Sequence, residues 1–497
     1  MPTPEGRRRR ARFSLKPALA TMTLSVVLLS TGCWHRAPDT PATPWGTLVG
    51  FVGGASVLTS LVAIPDLDSV VVRFDWGDGV ISEWSPWTWR DTVRLGHQWA
   101  APGSYEVRAQ VKSGSGRTSA WSGAHQVVVT GAQIRSYGGA GSQFAQSAAL
   151  TDDGGLIVVG ATERAGSPID SVWLLRTNGS GDTLWTRTFG AHGSGSAAGS
   201  SVVQTRGGGF IVAGWGERYL NSEGDLLLIK TDANGDTVWT RQLDLARSQG
   251  GACIRQTADN GYIIVGTART QGNGNGDIWL VKTNENGDTS WTRTLFSTMS
   301  QEDGQAVELT GDGGYVVLGT SWDQSGMHSA ILLTRTDASG NEIWTRTFDN
   351  DYREWANSVR PTADGGYILA GNAEPSIYEG GPLLLKTDAE GNLVWQKKLN
   401  RTGAWLAHSA EPLADGGYVV AGYSASYIGG ETDAWLARTD ATGEVLWDAA
   451  FGGVSHSNAV AAFSAPGGGY LLAGSTYPDS AEATDIWVIK TDLPAVR

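Results

Sequence analysis

The chain has 497 residues, 68 of them Gly and 22 Trp, and only 18% are charged; that is too long for one ordinary core and the wrong composition for a helix bundle. Many tight turns and many large apolar bodies suit short β-strands instead. The formal charge of −13 argues against nucleic acid as a partner and against electrostatic attraction to anionic lipid.

Arg7, Arg8, Arg9, Arg10, Arg12 and Lys16 form a basic stretch. The apolar residues 17–32 follow, a run too short to span a bilayer comfortably. It ends in Leu29-Ser30-Thr31-Gly32-Cys33, which resembles the lipobox of bacterial lipoproteins, with Ser30 where that family usually has Leu. The resemblance implies removal of residues 1–32 as a signal peptide. It also implies acylation of Cys33 and a lipid anchor in a bacterial cell envelope, at the outer membrane or cell surface. What remains carries 31 Lys and Arg against 49 Asp and Glu, a charge of −18. Residues 33–45, rich in Pro and Thr, read as an extended tether. With Cys33 acylated, Cys253 has no partner, so neither a disulfide framework nor a Cys-based metal site is expected.

Residues 46–130 alternate apolar and polar positions in short runs divided by turn signals, which predicts a β-sandwich. Phe74-Asp75-Trp76-Gly77-Asp78-Gly79 and His97-Gln98-Trp99-Ala100-Ala101-Pro102-Gly103-Ser104-Tyr105 resemble the PKD-type Ig-like domain. The resemblance implies two packed sheets, Trp and Tyr in the core, Gly-Asp-Gly as a turn, and a spacer or adhesion role. Asp66 and Asp68 offer oxygens to a calcium ion, but Ile64 stands where the family often has a further Asp.

From Gln133 onward the sequence repeats every 51 to 54 residues. Trp185, Trp239, Trp291, Trp344, Trp395 and Trp447 mark one position; Leu156, Phe210, Tyr262, Tyr315, Tyr367, Tyr418 and Tyr470 mark another. Each repeat reads as four strands, A to D, with tight A–B and C–D turns such as Asp364-Gly365-Gly366 and Asp232-Ala233-Asn234-Gly235. This predicts a seven-bladed β-propeller over residues 131–497. The last copy stops short of a strand D, and residues 133–137 supply one, closing the ring. The Asp-x-x-Gly-x-x-x-Trp spacing resembles pyrroloquinoline-quinone-type and kelch-like blades, in which the Trp packs between blades. One residue is missing between Asp and Gly relative to that family, and no set of quinone-binding channel residues is present, so no cofactor is expected. The fold class expected for the whole is all-β: an N-terminal Ig-like (PKD-type) β-sandwich plus a C-terminal seven-bladed β-propeller.

Within strand A the copies align Ser147, Ser201, Cys253, Ala306, Ser358, Ser409 and Ala461, all small, where inner strands converge on an axis. Cys253 is then a choice of size and not a nucleophile. Two residues on, Arg255, Glu308, Arg360 and Glu411 alternate in sign on neighbouring repeats and predict a chain of ion pairs.

The A–B and C–D turns are nearly uniform, whereas the B–C and D–A loops differ in every copy, which places recognition on the loop face. Aromatics assigned there are Trp215, Tyr219, Trp322, Tyr352, Trp355, Tyr378, Trp405, Tyr423, Tyr427 and Tyr477, with Arg353 and Glu354 beside them. Such side chains suit a glycan or a protein ligand. His192, His328, His408 and His456 fall in predicted loops at spacings that match no zinc motif, and no catalytic motif is present. The expected function is therefore binding by an envelope-anchored protein. A glycan-active hydrolase or lyase, needing converging carboxylates, and a purely structural envelope protein are the alternatives.

Overall fold

The computed structural model describes residues 38–492 apart from 47–48, 52–55, 63–68, 90–91, 140, 164–169, 191–194, 218–223, 245–246, 270–275, 296–300, 324, 350–352, 375–379, 400–404, 426–431, 452–455 and 478–482. Cys33, the segment before it, Asp66 and Asp68 lie outside the described residues, as do Tyr219, Tyr352, Tyr378, Tyr427 and His192. Every named element is a β-strand.

Two sheets build the first domain. One orders Trp45–Gly46, Ser56–Leu61 and Thr92–His97; the other orders Val49–Phe51, His125–Thr130, Gly103–Ser113 and Val70–Asp75. Alternate residues of both point into one core that includes Leu58, Val72, Phe74, Val93, Val107 and Val127. Trp76 and Trp99 are fully buried and meet edge to face, and the Trp99 indole donates to the Trp76 carbonyl at 3.2 Å. Gly77 and Gly79 take positive φ in the turn, and Asp78 there bonds His97 Nε2 at 2.7 Å.

Seven four-stranded antiparallel units follow among the described residues, six of them in sequence order from an inner strand A to an outer strand D. The inner strands are Gln143–Leu150, Ala197–Gln204, Arg247–Gln256, Gln301–Leu309, Arg353–Pro361, Trp405–Pro412 and His456–Ser464. The fourth and fifth units are further joined by one parallel bridge, Ser329 to Arg353. In the seventh unit the outer strand is Ala132–Tyr137, paired antiparallel to Asp485–Thr491 from Ile486↔Tyr137 to Thr491↔Ala132.

Apolar strands B and C are buried on both faces, and they meet those of the next unit. One buried cluster joins units one and two, another two and three, another three to five, then five to six and six to seven. A further cluster, with Ala148, Val158 and Leu175 against Leu471, Ala473 and Val488, joins unit seven to unit one. Four of the marker Trp cross a junction as well: Trp185 meets Phe210, Trp239 meets Tyr262, Trp395 meets Tyr418 and Trp447 meets Tyr470, at ring separations of 5.6, 6.2, 5.9 and 5.7 Å.

The A–B turns are held by a device built from two repeat positions. Arg176, Lys282, Arg335, Lys386 and Arg438, all buried, pair with Asp153, Asp259, Asp312, Asp364 and Asp415 of their own turn. Thr151, Thr257, Thr310 and Thr362 also donate to that carboxylate. The backbone N–H of the glycine closing each of the five turns does the same. The Thr310 hydroxyl first, then the Gly314 N–H and Arg335, pull Asp312 down to about 2. Lys386 and Thr362 do the same for Asp364. Burial opposes the shift at Asp153 and Asp259, yet the donors still bring both to about 2.

These depressed carboxylates stabilise the folded chain above the ordinary aspartate range, and that contribution is lost as the pH falls from about 4 towards 2. Asp259→Ala is expected to cost about 1 kcal/mol, the upper end for an exposed carboxylate, because it strands the buried Lys282. Urea midpoints of the variant and parent should differ at pH 7 and converge near pH 2; an equal gap at both would exclude the ionic origin.

Candidate functional site

Residues of the seven inner strands line a cavity of about 760 Å³. Each carries a β-bulge at the same place, and the register skips Gln146, Ser200, Ala252, Gln305, Asn357, His408 and Val460. All seven line the cavity. A bulge leaves its extra residue out of the ladder and re-aims its side chain. Here it turns a chemically varied position of the inner strand towards a common space.

The bulge also corrects the expected placement of the aromatics. Trp215, Trp322, Trp355, Trp405, Tyr423 and Tyr477 lie in strands, not loops: in Phe210–Gly216, Tyr315–Trp322, Arg353–Pro361, Trp405–Pro412, Tyr418–Ala425 and Tyr470–Tyr477. The glycine that reads as the end of strand B sits opposite the bulge, where a side chain has no room. A Cβ at Gly214 would lie 2.0 Å from the Ala198 carbonyl oxygen, and one at Gly422 would lie 1.8 Å from that of Leu406. The glycine is thus a close approach inside the strand, and pairing continues past it. His408 and His456 likewise stand in inner strands, while His328 is in a loop beside Asp349 at 3.1 Å. Arg353 and Glu354 belong to the inner strand of unit five.

The cavity wall has two characters. Ala149, Val203, Val460 and Phe463 make one side apolar. On the other, Arg255 Nε and Nη2 donate to Glu308 Oε1 at 3.0 and 2.5 Å. Arg360 Nη1 donates to the same oxygen at 2.8 Å, and its Nε donates to Glu411 Oε1 at 2.7 Å. All four side chains are 12–23% exposed. Burial works against the Glu308 charge, but Arg255 and Arg360 overcome it and hold the carboxyl below its ordinary range. The predicted alternation of sign is therefore a continuous ionic chain across units three to six. Both glutamates are engaged by arginine, so neither is placed to act as a free acid or base.

Next along the wall stand Gln305, Asn357 and His408, on units four to six. Asn357 Nδ2 donates to the Ala407 carbonyl at 2.6 Å, tying one bulge to the next. Burial lowers His408 to about 4, so its imidazole is neutral at neutral pH, with Tyr423 edge-on at 5.6 Å. Cys253 is buried against the Val307 carbonyl at 3.8 Å, with Arg255 Nη1 at 3.3 Å.

In the same inner strands, two residues before Gln305 and Asn357 and nearer the variable connections, are Asp303 and Trp355. Trp322 donates its indole N–H to Asp303 Oδ2 at 3.0 Å. Arg353 stacks over the Trp322 ring at 5.4 Å and reaches Glu374 at 3.6 Å. Trp215, Trp322 and Trp355 are half-buried. The structure thus brings Trp322, Arg353 and Asp303 together, while Trp215 stands apart on unit two. Among the described residues, no group of three or more His, Cys, Asp or Glu is arranged to hold a metal ion.

No family model and no curated protein matches this chain. Among solved structures it is similar to the PKD domain of an M14-like peptidase from Thermoplasmatales archaeon SCGC AB-540-F20, at 28% identity over 19% of this chain and 96% of that one, with a TM-score of 0.18. It is also similar to Sqt1 from Chaetomium thermophilum, at 9% identity over 71% and 96% of the two chains, with a TM-score of 0.41. A third is an endo-arabinase from Bacteroides thetaiotaomicron, at 13% identity over 49% and 93%, with a TM-score of 0.28. At these TM-scores the likenesses carry no argument about activity or ligand.

Proposed function

We propose that residues 131–497 form a closed seven-bladed β-propeller that binds a glycan, carried on a PKD-type sandwich and held at a bacterial cell envelope through acylated Cys33. The shared core between units seven and one and the pairing of Ala132–Tyr137 with Asp485–Thr491 support closure. The lipobox-like Leu29-Ser30-Thr31-Gly32-Cys33 supports the anchor.

The observation that carries the binding reading is the cluster of Trp322, Asp303 and Arg353 on units four and five, with Trp355 two residues along the strand from Arg353. An aromatic held at both its edge and its face is a pre-organised platform, and a sugar ring needs an apolar face beside charged hydrogen-bonding groups. The cluster sits at the strand ends where the connections differ from unit to unit.

Glycan-array binding of the protein and of Trp322→Ala with Trp355→Ala tests it. Binding to a defined set of glycans should fall more than tenfold in the double variant, worth about 1.4 kcal/mol or more. A parent that binds no glycan, or a double variant that binds as the parent does, overturns the reading.

A further inference from the structure

The five A–B turn clamps make the two exceptions informative. In unit two the turn reads Thr205-Arg206-Gly207-Gly208-Gly209, so glycine stands where the clamping Asp stands in units one, three, four, five and six. The groups that hold that Asp are nevertheless retained. Thr205 matches Thr151, Thr257, Thr310 and Thr362; Gly209 supplies the equivalent backbone N–H; Lys230 matches Lys282 and Lys386. The turn is also closed by the same backbone bonds, Thr205 N to Gly209 O and Gly208 N to Thr205 O, both at 2.8 Å. Gly208 has a φ of 80°, against 79° at Gly154. Unit seven differs: Ala465 replaces the Thr as well, so of the two side-chain donors only Lys490 is kept.

With no aspartate in its turn, Lys230 donates to the Thr205 hydroxyl at 2.5 Å, and that hydroxyl donates to the Gly209 carbonyl at 3.1 Å. Lys230 has no carboxylate partner among the described residues. The direction a side chain would take from Gly207 is open, with no atom within 4 Å. Burial without a counter-charge lowers Lys230 to about 8.

We propose that the Thr205 hydroxyl, the Gly209 N–H and the Lys230 ammonium form a binding site for the carboxylate of a small ligand. The rest of the molecule is the precedent, since the same three donors grip a carboxylate four times over in units one, three, four and five, with Arg for Lys in two of them. A free monocarboxylate and the carboxylate of an acidic sugar present the same chemistry. The site is at the tight-turn ends of the strands, away from the Trp322 cluster, and does not depend on what that cluster binds.

The test is the rate at which an amine-reactive ester labels Lys230 in the purified full-length protein at pH 8, read by peptide mass spectrometry. Acetate, compared with chloride at equal ionic strength, should slow Lys230 labelling severalfold and saturably, because the bound carboxylate covers the amine and holds it protonated. Lys282 and Lys386, which have their own aspartates, should not respond. Gly207→Asp should slow Lys230 labelling without acetate and abolish the response, and Thr205→Val should weaken it. Glucuronate acting where glucose does not extends the ligand class to acidic sugars; acetate acting alone restricts it to small carboxylates. An unchanged Lys230 rate in acetate, an equal slowing at the surface Lys112, or an intact response in Gly207→Asp overturns the proposal.

Discussion

Glu308→Ala is expected to destabilise the chain by about 3 kcal/mol, more than any other single change to the ionic chain on the cavity wall. Its Oε1 accepts from both Arg255 and Arg360, so its loss leaves Arg255 without a carboxylate on a wall that is largely desolvated. Arg360 keeps Glu411, and Arg255→Ala leaves Glu308 paired with Arg360. Arg255→Ala should therefore cost less. The figure sits at the low end for a broken buried pair because the side chains keep 12–23% of their surface on the cavity side. The double variant should cost well under the sum of the two single changes, since the second removes the charge that the first stranded. Urea midpoints for the four proteins close the cycle. Strict additivity would show that these groups act independently. The coupling should also fade as acid protonates Glu308, at a pH below its ordinary range, since its folded value is depressed.

This chain of charges was legible in the sequence because four consecutive repeats alternate Arg, Glu, Arg, Glu at one aligned position. The same alignment found the small-residue row at Cys253, and the buried thiol fits that reading of size. The marker Trp and Tyr series were legible too, and their contacts across unit junctions follow from both being bulky and recurrent. The bulges were not legible. A bulge is set by how two strands pair, and only the glycine opposite it betrays it; read alone, Gly214 or Gly422 ends an apolar run. Missing the bulge hid the polar row of Gln305, Asn357 and His408 and displaced Trp355 and Tyr423 into loops. The A–B clamps had a signal that goes unused when turns are read one at a time: the turn Asp and the strand-C cation lie 22 or 23 residues apart in five units. Where the Asp is absent, at Gly207 and Gly467, the cation remains, and that mismatch is visible only once the pairing is known.

A chain beginning at residue 140 is expected to unfold at a much lower urea concentration than one beginning at residue 131. Ala132–Tyr137 supplies the outer strand of unit seven through six paired positions. Losing the ladder bonds of such a strand, at about 0.5–1.5 kcal/mol each, removes several kcal/mol. The segment does more than fill an edge. The Tyr137 hydroxyl donates to the Gly181 carbonyl, and Arg135 pairs with Asp182 at 2.9 Å, so one strand from the start of the repeats ties the last unit to the first. Desolvation pushes Tyr137 up to about 12, so the phenol stays protonated and its donor intact at physiological pH. Without the strand, Asp485–Thr491 becomes an exposed edge rich in apolar residues, the kind of surface that recruits a strand from another molecule. The shortened chain should therefore associate at concentrations where the longer one is monomeric, and a synthetic peptide of residues 131–139 should restore its urea midpoint in trans. Equal midpoints for the two chains, with no response to the peptide, would mean that the seventh unit holds its place without this strand, through the apolar contact of Leu471 and Val488 with Val158, and would remove the strand from the proposed closure.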